Sequence, residues 1–193
     1  MEETISLQDL FKTLKKRVGL IALLTILAIT IAGIVSFLIL TPIYQASTQI
    51  LVNQEKTDPN QVINQNIQAD LQLINTYSVI IKSPAILTEV IEQLGLDKNT
   101  DELTSQISVD TAENSQVVNL TVEDADPALA VEIANTTASV FEEEIQNIMQ
   151  VNNVTILTPA IMKEDPSPVA PNPMLNMAIA AIVGLMLGVG IAF

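Results

Sequence analysis

The sequence predicts a membrane protein in which two transmembrane helices flank an extracytoplasmic α+β domain. The domain's element order is read as β-α-α-β-β-α-β, a mainly antiparallel sheet covered by helices. Three observations predict this. Val18–Leu40 and Met174–Phe193 carry no charged side chain and are built mostly of Ile, Leu, Val, Ala and Gly. Lys12, Lys15, Lys16 and Arg17, half of the chain's eight basic residues, stand directly before the first of these stretches. Between the two, short segments with alternating apolar residues are interleaved with longer ones whose apolar residues recur at helical spacing.

The first apolar stretch sets the frame. As a helix rising about 1.5 Å per residue it covers roughly 35 Å, enough to cross a hydrocarbon core of about 30 Å with some tilt. Only a helix keeps its backbone groups paired inside lipid. A cleaved signal peptide is the competing reading, but its apolar core spans only about 7–15 residues and is followed by a small-residue cleavage site; Val18–Leu40 is longer and no such site follows. The basic cluster before it places the N-terminus in the cytoplasm by the positive-inside bias. With two spans, both termini are then cytoplasmic and the central region lies outside the cell membrane.

Composition narrows the function classes. The net charge is −14, and Lys56, Lys82, Lys98 and Lys163 are the basic residues of the region between the spans. So acidic an exterior argues against binding nucleic acid or anionic lipid through a basic patch. The chain has no cysteine and no histidine. Disulfides, thiol chemistry and thiolate metal sites are excluded, and with histidine go the commonest general base and metal ligand.

In order, residues 1–17 form a cytoplasmic leader. Leu7, Leu10, Phe11 and Leu14 recur at 3–4 spacing behind Ser6 or Asp9 as a cap, so the leader reads either as an amphipathic helix on the inner membrane face or as a solvated stub carrying the topogenic charges. Residues 18–40 are the first span, stopped by Pro42. Residues 41–162 are the α+β domain. Tyr44–Asn53 alternates through Tyr44, Ala46, Thr48, Ile50 and Val52, a strand. Glu55–Asn60 is a polar turn with Pro59. Val62–Lys82 is helical, with Ile63, Ile67, Leu71, Ile74, Tyr77 and Ile81 on one stripe. Ser83-Pro84 opens a second helix that buries Ile86, Leu87, Val90, Ile91 and Leu94 and ends at Gly95. Thr104–Thr111 and Gln116–Glu123 are strands joined by a turn at Asn114-Ser115. Asp126-Pro127 starts a helix to about Met149, with Ala130, Ile133, Ala134, Thr137, Phe141 and Ile148 inward and Glu142, Glu143 and Glu144 outward. Val154, Ile156 and Thr158 alternate in the last strand.

Residues 163–173 are a linker with prolines at Pro166, Pro168, Pro171 and Pro173, a density that forbids helix and favours stiff polyproline II. It reads either as a plain spacer or as a rigid coupler between the domain and the second span, 174–193. Small residues recur within both spans: Ala28, Ala32 and Ser36 in the first, Ala180, Gly184, Gly188 and Ala192 in the second. In lipid, close backbone approach drives helix association, so these faces are expected to pack.

The ordered segments P-I-Y-Q-A-S-T-Q-I-L-V (42–52), N-T-Y-S-V-I-I-K-S-P (75–84) and D-A-D-P-A-L-A-V-E-I-A-N (124–135), with the proline-rich entry to the second span, carry a resemblance. The chain resembles the Wzz-type chain-length determinants, the polysaccharide co-polymerases, and within them the Gram-positive branch of CapA-like and CpsC-like modulators of capsule tyrosine kinases. The resemblance covers essentially the whole chain. It implies a non-enzyme without cofactors that forms a homo-oligomeric ring in the membrane, works with a Wzy-type polymerase on capsular polysaccharide or exopolysaccharide, influences polymer length or export, and activates a cytoplasmic tyrosine kinase. The growing polysaccharide is a further implied contact. The family's proline-rich segment maps onto Pro166, Pro168, Pro171 and Pro173. In this branch a cytoplasmic tail beyond the second span is taken to engage the kinase; the sequence in hand stops at Phe193, inside the span, so it is expected to insert and assemble without switching a kinase on.

The residues themselves suggest no catalytic constellation. Glu123, Asp124 and Asp126 sit at a strand-to-helix junction and Glu142–Glu144 on a helix face, where capping and solubility account for them and a cation site is the alternative reading. Asn119, Asn135 and Asn153 each precede a Thr by two positions, the glycosylation acceptor pattern. A second class of function, a two-span sensor whose outer domain binds a small ligand, shares the same architecture; it predicts ligand-dependent stability rather than oligomers formed without ligand.

Overall fold

The computed structural model describes residues 14–52, 75–111, 115–150 and 153–192. In chain order the elements are α1 (Val18–Ile34), continued by a π-helical turn (Val35–Ile39), β1 (Tyr44–Val52), a helical stretch over 75–81, α2 (Pro84–Leu94), α3 (Thr100–Gln106), β2 (Ile107–Thr111), β3 (Val117–Asp124), α4 (Pro127–Met149), β4 (Val154–Thr158) and α5 (Pro173–Ala192). The expected leader helix over 1–13, the Glu55–Asn60 turn, the first part of the Val62–Lys82 helix with Ile63, Ile67, Leu71 and Ile74, Asn114 of the hairpin turn, and Phe193 lie outside the described residues. Two compact units emerge, Met1–Pro42 with Val169–Phe193, and Ile43–Pro168.

The second unit is the α+β domain. Among the described residues, four strands form one sheet in the order β2-β3-β1-β4, every neighbouring pair antiparallel. The period-2 pattern of β1 does what it predicts. Ala46, Thr48, Ile50 and Val52 are buried, whereas Gln45 and Ser47 are exposed. Val118, Leu120 and Val122 of β3 face the same way, so one side of the sheet is apolar and is covered by helices. The other side carries polar pairs. Ser47 and Thr121 share a hydrogen bond of 2.9 Å across β1 and β3, and Gln49 donates to Asn119 at 3.1 Å.

Helix α4 lays Ala130, Ile133, Ala134, Thr137, Ala138, Val140, Phe141 and Ile145 on the apolar side. Phe141 meets Tyr77 edge-on at 5.8 Å between ring centroids. Ile81, Ile86, Leu87, Val90 and Leu103 complete the core. Caps explain the helix starts. Pro127 takes the first helical position and Asp126 accepts the backbone N–H of Ala128 at 2.9 Å. Gly95 ends α2 at φ 60°, a conformation glycine enters without strain.

Sequence expectations need correction at residues 104–106, at Ile148 and at Pro173. The order is β-α-α-α-β-β-α-β: residues 104–106, read as the start of a strand, belong to the short helix α3. Asn99 and Glu102 form a reciprocal capping box at its start, with bonds of 2.9 and 3.0 Å, and this local signal overrides the weak alternation of Thr104–Gln106. Ile148 is 46% exposed instead of inward, because α4 outlasts the layer it covers and its last turn is exposed throughout. Ser83 holds the N-cap position of α2 without a side-chain hydrogen bond.

The first unit is an antiparallel helix pair. Its order of contacts fixes the direction: Asn176 meets Ser36, Met177 lies near Gly33, Gly184 meets Thr25 and Ala28, and Gly188 meets Ile21. Pro173, read as the last linker residue, is the first residue of α5, where its missing N–H costs nothing, and Asn172 accepts the N–H of Leu175 at 3.2 Å. At the far end of α1 the helix closes as a π turn at Ile39, and Leu40 is extended ahead of Pro42.

Candidate functional site

The two apolar helices are the first candidate. Val18–Ile39 and Pro173–Ala192 have mean hydropathies of 2.7 and 2.2, long and apolar enough to cross a membrane. Their shared seam is made mostly of small residues, with Ile21 buried against Gly188. A Cβ built on Gly184 would stand 2.8 Å from the Cα of Thr25 and 3.0 Å from the Cβ of Ala28. One on Gly188 would stand 3.0 Å from the Cα of Ile21. Both glycines therefore admit a backbone-to-backbone approach that no larger residue permits. Ala192 and Ser36 are buried, while Ala28, Ala32 and Ala180 are half-buried. The seam also carries a polar link: Asn176 donates to the Ser36 hydroxyl at 3.0 Å. Thr25 and Thr30 return their hydroxyls to their own helix, to the carbonyls of Ile21 and Ile26, each at 2.8 Å. Large side chains point away, among them Leu23, Phe37, Leu38, Met174 and Met186.

The remaining singled-out residues fall on either side of these helices. Lys15, Lys16 and Arg17 are exposed just before α1, and Lys12 lies outside the described residues. Pro166 is half-buried and Pro168 exposed in the first part of the linker, and Pro171 precedes α5 across a cis Ala170–Pro171 bond. Residues 161–169 adopt neither helix nor strand.

Within the domain, the acidic residues at the end of β3 hold structure together. Asp124 is buried. One carboxylate oxygen accepts Lys98 Nζ and Gln106 Nε2, the latter at 2.8 Å, and the other accepts the backbone N–H of Asp126 at 2.9 Å. Burial pushes its carboxyl up, but the Asp126 amide, the Lys98 and Gln106 hydrogen bonds and the Lys98 charge outweigh it and hold the group below its usual value. Among the described residues no group of three His, Cys, Asp or Glu side chains could hold a metal ion. Asn119, Asn135 and Asn153, which match the acceptor pattern for glycosylation, all have partners within the fold: Gln49, Ala160 with Thr48, and Tyr77.

Sequence reading missed the polar partners. Asn176 is the one polar residue inside the second apolar stretch, and that isolation was its signal. Lys98 and Gln106 carried none, because their meeting with Asp124 depends on how α3 returns to β3. The capping box was legible as N-x-x-E.

Two family descriptions match the sequence. Wzz, "Chain length determinant protein", matches residues 3–94, and GNVR, "G-rich domain on putative tyrosine kinase", matches residues 132–193. The chain is 51% identical over its full length to "Probable capsular polysaccharide biosynthesis protein YwqC" of Bacillus subtilis (strain 168), spanning 78% of that protein. It is 41% identical over 93% of its length to "Capsular polysaccharide biosynthesis protein CapA" of Staphylococcus aureus, spanning 80% of it. It is 38% identical over 96% of its length to "Capsular polysaccharide type 5 biosynthesis protein cap5A" of Staphylococcus aureus (strain Newman), spanning 83% of it.

Proposed function

We infer the function from one premise: this chain belongs to the Wzz chain length determinant family of capsular polysaccharide biosynthesis proteins. It is a non-catalytic membrane scaffold of capsule or exopolysaccharide assembly. It modulates the length or export of the polymer made by a Wzy-type polymerase and activates a cytoplasmic tyrosine kinase. The observation that carries this reading is similarity to capsule biosynthesis proteins along the whole chain; the GNVR match over 132–193 supports the tie to a tyrosine kinase.

The parts take roles accordingly. Residues 18–40 and 174–193 cross the cell membrane. Lys12, Lys15, Lys16 and Arg17 hold the leader, 1–17, in the cytoplasm. The α+β domain, 41–162, stands outside, and the proline-rich segment, 163–173, couples it to the second span through Pro166, Pro168, Pro171 and Pro173. Ala28, Ala32, Ser36, Ala180, Gly184, Gly188 and Ala192 pack the spans, and copies of the chain assemble in the membrane, where tethering raises the effective concentration of weak contacts.

The test is deletion of the gene in its host and complementation with the intact gene. Extracted polysaccharide is sized by gel electrophoresis, and the kinase is followed by phosphotyrosine blotting. Deletion should shift the polymer length distribution or its yield and lower kinase phosphorylation, and complementation should restore both. A deletion strain with unchanged polymer and unchanged phosphotyrosine would overturn the reading.

A further inference from the structure

The pairing of β1 with β4 ends at Gln49 and Thr158. The next residue, Pro159, has no N–H with which to extend a ladder. Yet the following residue, Ala160, is buried, and both of its main-chain groups are satisfied. One side chain does this. The Ala160 N–H donates to Asn135 Oδ1 at 2.8 Å, and Asn135 Nδ2 donates to the Ala160 carbonyl at 3.0 Å. A carboxamide thus presents to the main chain of one residue the donor and acceptor that a neighbouring strand would offer. The reverse amide orientation would set donor against donor and acceptor against acceptor. Thr48, fully buried on β1, completes the arrangement: its hydroxyl donates to Asn135 Oδ1 at 2.9 Å and accepts a longer bond from the Ala160 N–H at 3.2 Å. Immediately beyond, Ile161 is 76% exposed and the chain enters the proline-rich segment.

We propose that Asn135 and Thr48 form a latch on the main chain of Ala160 that makes this residue the last fixed point of the α+β domain, so that the proline-rich segment departs from a set position, and that opening the latch adds slack to the segment. The three residues come from β1, α4 and the post-β4 segment, so the latch reads the packing of the domain and conveys it to the root of the linker. Asp at position 135 would lose the donor to the carbonyl, and Gln would place its amide one methylene too far. The role in coupling rests on the reading of 163–173 as a coupler; the latch itself does not.

The experiment is hydrogen exchange by mass spectrometry on the full chain in detergent micelles, comparing wild type with Asn135→Ala and the near-isosteric Thr48→Val. Exchange of the peptide covering Ala160–Lys163 should accelerate by about tenfold or more in Asn135→Ala and by less in Thr48→Val, with β1 and β3 peptides unchanged. Unchanged exchange at Ala160 in both variants, or an equal acceleration across the whole sheet, overturns the latch. Each variant is then returned to the deletion strain. Altered polymer length or kinase phosphorylation supports coupling through the latch; local opening with both readouts at wild-type level overturns the coupling role while the latch stands.

Discussion

The helix pair and the α+β domain are packed on opposite plans. The domain hides its largest side chains: Tyr77, Phe141, Ile50 and Leu120 have no exposed surface. The helix pair exposes most of its large ones, with Leu38 80% and Met186 71% exposed, and buries Ser36, Gly184, Gly188 and Ala192, with Ile21 the one large side chain buried among its described residues. In the domain, apolar area removed from water drives the packing, so the bulkiest residues go inside. In a lipid surround that drive is absent and close backbone contact takes its place, so the smallest residues go inside. The comparison teaches that burial has to be read with its solvent: the same Leu is core in one region and surface in the other.

Size-reducing substitutions break the comparison most sharply. Phe141→Ala should destabilise the domain by about 3–5 kcal/mol, read as a large drop in its thermal midpoint by near-UV circular dichroism. Met186→Ala, which also shortens a large side chain, should leave the association of α1 and α5 unchanged. A small loss for Phe141→Ala would mean the core tolerates a cavity and the contrast is weaker than drawn.

The converse change comes next. Gly184→Leu must push against the backbone of Thr25 and should separate the helices. Because the chain has no cysteine, a pair introduced at Gly33 and Met177, whose Sδ lies 3.6 Å from where a Gly33 Cβ would stand, reports on this by disulfide formation. The yield should fall several-fold when Gly184→Leu is added; an undiminished yield would show that the seam adapts.

Acid separates the two regions more gently. The Asp124 carboxyl is held below its ordinary value in the folded domain, so its contribution is present above the unfolded carboxylate range near about 3.9 and is lost as pH falls through the lower folded value. Lys98→Met should remove part of that contribution and flatten the acid limb of the domain's unfolding curve. Neither α1 nor α5 contains an ionisable side chain, so the association of the two helices should be insensitive over the same range. The smallest effect is expected at the capping box: Asn99→Ala should cost about 1 kcal/mol, with Asn99→Asp close to wild type in thermal midpoint.

Much of both regions was legible in the sequence because both obey periodicities. The alternation of Tyr44–Asn53, the Asp126-Pro127 start and the two uncharged stretches each lie on a single element, where local chemistry decides the outcome. Thr104–Gln106 alternates yet is helical, because the Asn99–Glu102 capping box just upstream starts a helix that runs through it. Asn135 illustrates the harder limit. Its match to the acceptor pattern is visible in the sequence, whereas its bond to Ala160 spans 25 positions and depends on where a strand happens to end. The pairing of Lys98 with Asp124 has the same character. Neither Asn135 nor Lys98 carries a local sign of a partner that comes from another element.

The strand order carries a consequence for synthesis. β1 is the first strand to leave the ribosome, yet it occupies an interior position in the sheet and both of its neighbours come late. Ser47 waits for Thr121, 74 positions on, and Thr48 for Ala160, 112 positions on. Until β3 is made, both edges of β1 lack their native partners. Loop closure over such separations is slow, and at about 5–20 residues per second of translation the wait lasts several seconds. The nascent chain therefore passes through an interval in which a nine-residue strand is open to pairing with a neighbouring copy on the same messenger.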